Sequence, residues 1–216
     1  DPNYARAFAW KTCSLANNSE WFADDMPDGW MEDAFSSINR AMEIDPDDPE
    51  AHRILGAMKL LFEGDMEKAI FHHKKAIEIC PSDTFHLARY SVLLSYLGKP
   101  EDAMEQIEKA LRINPFGSDL MFETKGVCAY LLEDYEAAIS TFKNMQIETR
   151  VSLFYSAACY GLLGKTELAK DRLVLAKTES GMEIDKFVTT QLYQSEEISN
   201  KLTNDLTFIE KGLVLN

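Results

Sequence analysis

Met42-Glu43-Ile44-Asp45-Pro46, Ile77-Glu78-Ile79-Cys80-Pro81 and Leu111-Arg112-Ile113-Asn114-Pro115 are one helix ending written three times, with the prolines 35 and 34 residues apart. Ahead of each ending stand paired small residues, Ala34/Ala41, Ala69/Ala76 and Ala103/Ala110. The members of each pair are seven apart, and the second precedes the proline by five. Proline cannot continue a helix interior, because it lacks an N–H and clashes with the preceding turn, so these endings mark stops. A fixed period of this size is the signature of stacked helical units rather than of one irregular globule.

Working outward, the pattern continues without its proline at Ala138/Met145 and Ala169/Ala176, where the interval shortens to 31. Before each alanine pair comes a turn holding Gly29, Gly64, Gly98 or Gly164, with Glu133-Asp134 in the fourth unit, and before that another apolar-periodic segment. Each unit therefore reads helix, turn, helix. An alanine early in the second helix admits close approach of the first, and Ile38, His73, Ile107, Phe142 and Leu173, four residues on, fill the gap between hairpins. The prediction is an all-α fold, an α-α solenoid of about five hairpins.

The 34-residue spacing, with Leu55-Gly56, Gly64-Asp65, Ala69, Ala76 and Pro81, is similar to the tetratricopeptide repeat (TPR) pattern W-x-x-L-G-x-x-Y…A-x-x-x-F…P. Unit four matches it at Gly126, Tyr135, Ala138 and Phe142, and unit five at Tyr160, Gly164 and Ala169. His52 stands where Trp is usual, and Lys125 where an apolar residue is usual. The resemblance implies a right-handed TPR superhelix with repeats at about 3–46, 49–82, 84–117, 119–149 and 150–180, together residues 1–181. Residues 182–216 would supply capping helices, with Ile198, Leu202, Leu206 and Ile209 as their apolar stripe.

Asp1-Pro2-Asn3-Tyr4 aligns without gaps on Asp45-Pro46-Asp47-Asp48, which predicts another helix upstream of residue 1. The interval from Pro2 to Pro46 is 44, which predicts a loop insertion in the first hairpin around Asn17–Asp28. That expansion, with Ile113-Asn114-Pro115-Phe116, Leu132-Glu133-Asp134-Tyr135-Glu136-Ala137-Ala138-Ile139 and Tyr193-Gln194-Ser195-Glu196-Glu197, resembles the C-terminal TPR region of bacterial class III adenylate/guanylate cyclases or winged-helix transcriptional regulators. Such repeats are not catalytic, and the resemblance implies a regulatory role within a larger signalling protein.

A formal charge of −14 repels phosphate backbones and anionic headgroups, so direct nucleic-acid or membrane binding is not expected. The chain has no apolar run near the roughly 18 residues of a membrane span. Cys13, Cys80, Cys128 and Cys159 sit singly within helical patterns, which suits packed thiols in a reducing cytoplasm.

No phosphate loop, G-x-S-x-G turn or kinase motif is present, so no enzyme activity and no cofactor is expected. His52, His72, His73 and His86 lack metal-ligand spacing. Asp24-Asp25-Met26-Pro27-Asp28-Gly29 places Met26 where a calcium loop needs oxygen, so no metal is expected there either.

Stacked hairpins line one face with their first helices, and the residues offset from the core stripe are the candidates for a partner groove. These are Arg53, Phe85, Val92, Leu120, Val127, Tyr130, Val151 and Phe154. TPR proteins that bind chaperones hold a terminal carboxylate with Lys and Asn at such positions, and that clamp is absent. The expected partner is a protein or peptide segment with basic flanks, met by an apolar groove with an acidic rim. Two alternatives remain: cover by the chain's own last helix, and assembly of copies into a homo-oligomer.

Overall fold

The computed structural model describes residues 2–21 and 26–212. Among them every regular element is an α-helix: α1 (Ala5–Trp21), α2 (Trp30–Ile44), α3 (Pro49–Glu63), α4 (Met66–Ile79), α5 (Thr84–Tyr96), α6 (Pro100–Ile113), α7 (Asp119–Leu131), α8 (Tyr135–Phe142), α9 (Arg150–Leu162), α10 (Thr166–Ser180), α11 (Ile184–Thr190) and α12 (Glu196–Glu210). The all-α class expected from the repeat is the one observed, with the helices packed in pairs as in a TPR superhelix.

The repeated ending is one structure as well as one sequence. The N–H groups of Asp45, Cys80 and Asn114 donate to the carbonyls of Ala41, Ala76 and Ala110, and each is followed by the proline that blocks another turn. Starts are as regular. Asp48, Asp65 and Asp134 cap α3, α4 and α8 by accepting from the N–H three residues on, and Thr149 with Ser152 forms a capping box on α9. Between helices the chain turns through a left-handed residue: Gly64 at φ 65°, Gly98 at 69° and Gly164 at 70°. In the fourth hairpin Glu133 takes the same conformation, at φ 63°.

The chain forms two compact units, residues 1–90 and 91–216. In the first, α1 packs on α2 and α3 on α4, around Ala9, Ala34, Ile38, Ala51, Ile54 and Met58. Approach within each pair is set by a small residue facing the alanine. Thr12 donates its hydroxyl to the Ala34 carbonyl at 2.9 Å, and a methyl added to Gly56 would sit 3.0 Å from the His73 ring and 3.2 Å from the Ala69 carbonyl. α1 runs to Trp21, so the ten extra residues of the first hairpin begin as added helix rather than as loop from Asn17. Phe22 to Asp25, including the acidic pair of the calcium-type reading, lie outside the described residues.

In the second unit α7 packs on α8 and α9 on α10. Ser91 donates to the Ala103 carbonyl at 2.6 Å, which ties the second half of α5 to α6. The ring of Phe142 lies over Gly126, where no Cβ fits. Ile107, Phe142 and Leu173 are all buried. Lys125, anomalous in the sequence pattern, pairs with Glu108 at 3.2 Å.

Candidate protein-binding face

In the first unit the first-helix face is polar and internally paired. Arg53 Nε and Nη2 donate to the two carboxylate oxygens of Glu50 at 3.0 and 2.6 Å, a bidentate geometry favoured by the planar guanidinium. His86 Nε2 lies 2.9 Å from Glu50 Oε2. The Arg53 guanidinium sits 4.9 Å from the centre of the Phe85 ring, and that of Arg89 5.3 Å from it. Burial works to raise the Glu50 pKa, but the hydrogen bonds from His86 and Arg53 outweigh it and hold the carboxyl at about 2. Arg53 and Glu50 are buried and Phe85 is half-buried. Arg53 is thus committed to Glu50 and is not open to a ligand's carboxylate.

In the second unit Val92, Leu120 and Val151 are half-buried, while Val127, Tyr130 and Phe154 are buried. The cover over the last two is the chain's own C-terminal segment. Phe187 of α11 stacks on Phe154 with centroids 4.0 Å apart. Tyr193, after α11, meets Tyr155 hydroxyl to hydroxyl at 2.6 Å and Tyr96 edge to face at 5.6 Å. The Gln194 N–H donates to the Tyr96 carbonyl at 2.9 Å. From α12, Asp205 accepts from the Tyr130 hydroxyl at 2.6 Å and from Lys201 at 3.1 Å, and the Lys201 ammonium lies 4.8 Å from the Tyr130 ring centre.

Burial, reinforced by the Asp205 charge, raises the Tyr130 pKa, so its hydroxyl stays protonated and donates. Burial opposes the Lys201 charge, but Asp205 and the Tyr135 hydroxyl outweigh it and raise that pKa. The last helix, α12, thus meets Tyr130, while Phe154 is covered by α11.

Two clusters escaped sequence reasoning. His52 and His72 are 20 residues apart, yet α3 and α4 bring their Nδ1 atoms to 2.9 Å, with His52 Nε2 2.9 Å from the Pro46 carbonyl. A neutral His52 that donates from Nε2 accepts at Nδ1 from His72. Burial, then the neighbouring His52, pulls the His72 pKa down to about 4. The second is the Lys201–Asp205 pair, whose i, i+4 spacing was visible while its tyrosine partners, far off in sequence, were not.

The thiols of Cys128 and Cys159 are pushed by burial to about 12 and stay protonated. Among the described residues no three His, Cys, Asp or Glu converge as metal ligands, and no helix is long and apolar enough to cross a membrane.

Residues 87–116 match the family profile of the tetratricopeptide repeat. A stretch of 86 residues, 40% of this chain, is 33% identical to the protein SGT1 homolog of Bos taurus, of which it spans 25%. The chain thus covers about a quarter of that relative's length. Among solved structures, pilF of Pseudomonas aeruginosa superposes with a TM-score of 0.66 at 15% identity, over 96% of this chain and 91% of that one. YrrB, described as a TPR protein with an unusual peptide-binding site, superposes with a TM-score of 0.54 at 17% identity, over 81% and 92%. At these identities the structural likeness is one of fold. Residues 87–116 thus carry a tetratricopeptide repeat recognised in sequence, and the chain around them has the helix-pair fold seen in a solved TPR protein.

Proposed function

We propose that the chain is a non-catalytic, protein-binding regulatory module of a larger signalling protein, which takes a partner segment on the face lined by the first helices of its hairpins. The hairpins α1–α2, α3–α4, α5–α6, α7–α8 and α9–α10 are its five repeats, and α11–α12 cover their last faces. TPR domains bind proteins or peptides, and YrrB, similar in fold, is described by its peptide-binding site. The observation that carries the reading is the occupancy of the second unit: Tyr130, Tyr155 and Phe154 present rings and hydroxyls that hold a helical segment. The net charge of −14 favours a partner with basic flanks. A cytoplasmic setting fits the four free cysteines.

A photo-cross-linking amino acid placed at Leu120 or at Val151 should capture the same polypeptide, while one at exposed Asp171 on α10 should not. Equal capture from all three positions would refute the reading. The sequence features shared with cyclase-linked and winged-helix-linked repeats favour a parent of one of those kinds, and that finer reading rests on them alone. The coding sequence upstream of residue 1 tests it, and a parent with neither domain refutes it. Self-association is the competing reading, and light scattering that reports a strict monomer at high concentration counts against it.

A further inference from the structure

We infer that the first-helix face of the second unit is a receptor for an amphipathic helix bearing one carboxylate, and that α12 is a resident occupant which such a helix from another protein displaces. The inference rests on the reading of the chain as a protein-binding module and names the partner by its chemistry.

α12 is not built as another repeat. It lacks the alanine pair seven residues apart and buries Leu202, Leu206 and Ile209 instead. Nor does the C-terminal segment pack only where a next hairpin would, on α9 and α10. It crosses Phe154 and Tyr155 on α9, Tyr96 at the end of α5 and Tyr130 on α7, the first helices of three successive hairpins.

The anchor is polar. Asp205 is 7% exposed and takes hydrogen bonds from Tyr130 and from Lys201 of its own helix. For stability alone, a buried ion pair gains little over apolar residues of the same volume, and its attested use is to fix register. A helix seated here without a carboxylate leaves the Tyr130 hydroxyl buried and unpaired, a penalty that selects among ligands. The pattern that fits is the one α12 displays: Leu202, Asp205, Leu206 and Ile209 on one face, with Lys201 one turn before the acid. Because α12 is tethered through residues 191–195, its high effective concentration lowers the apparent affinity of any rival, so partner binding and release of α12 are coupled.

The test uses the full chain with Leu206→Asp, which loosens α12 without altering α7 or α9, and a fluorescent synthetic peptide of Glu196–Glu210. Saturable binding to the L206D chain, at least tenfold tighter than to the unaltered chain, is expected. Adding Tyr130→Phe to that chain, or Asp205→Asn to the peptide, should weaken binding about tenfold. No saturable binding to an L206D chain of unchanged helicity overturns the inference. If L206D loses helicity, hydrogen exchange on the unaltered chain decides: amides of α12 exchanging faster than those of α9 support a displaceable occupant, and equal protection overturns it. Peptide binding with no cross-linked partner would refute the module reading and keep the receptor. Cross-linking without peptide binding would do the reverse.

Discussion

The hydroxyl of Tyr130 and the carboxylate of Asp205, 75 residues apart in sequence, meet at 2.6 Å beneath the Lys201 ammonium. Tyr130→Phe removes the donor and leaves Asp205 with Lys201 alone, so it should lower the stability of the second unit by about 1.5–3 kcal/mol, the range for hydrogen bonds to charged groups. Urea unfolding followed by circular dichroism measures this. A loss below about 0.5 kcal/mol would mean that the hydroxyl finds another partner.

Glu50 is the acceptor shared by Arg53 and His86. Glu50→Ala leaves a buried guanidinium without its counter-charge and should cost about 3–5 kcal/mol, whereas the double change to Glu50→Met and Arg53→Met should recover most of that. Thermal unfolding of the three chains tests the order, and a double variant no more stable than E50A contradicts it.

Acid should weaken the first unit in two stages. His72 and His73 are held at about 4 and about 3 in the fold, each mainly by burial, against an ordinary 6.5. The facing groups that add to this are His52, Lys59 and Lys68 for His72, and Arg53, Arg89, His86 and His72 for His73. An unfolded chain takes up those protons first, so the contribution is complete above pH 6.5 and is lost as pH falls toward 4 and then 3. Glu50, held at about 2 against 4.5, contributes above pH 4.5 and is lost as pH falls toward 2. His73→Phe should flatten the first stage. The fourth hairpin already seats Phe142 over Gly126 as His73 sits over Gly56. The readout is the urea midpoint from pH 8 to pH 3, and an unchanged slope in H73F would exclude His73 as a source.

Glu133 holds the left-handed conformation, φ 63°, that Gly64, Gly98 and Gly164 supply in other hairpins. A side chain with a Cβ is strained there, so Glu133→Gly should stabilise the chain by about 0.5–1 kcal/mol, less the entropy glycine adds to the unfolded state. A fall in the unfolding midpoint would show that the Glu133 side chain contributes more than its backbone strain costs.

What could be read from the residues alone was local or periodic. Pro46, Pro81 and Pro115 announced where helices stop, and Glu133 stood out as the turn residue without glycine, because backbone sterics act within a few residues. Alanines seven apart announced pairing, because helical geometry places them on one face. The composition of the first-helix face was legible in the same way, since Tyr130, Phe154 and Arg53 follow from the register. What occupies that face was not. Arg53 turned out to share Glu50 with His86, and His52 met His72 from the opposite helix. The stripe of Leu202, Leu206 and Ile209 is equally suited to closing the end of a stack or lying along the first helices. Periodicity says that a helix has an apolar side but not which surface it will meet. Only the fold, which sets the Tyr130 hydroxyl against Asp205, the Phe154 ring against Phe187 and the Tyr96 carbonyl against Gln194, decided where the C-terminal segment lies.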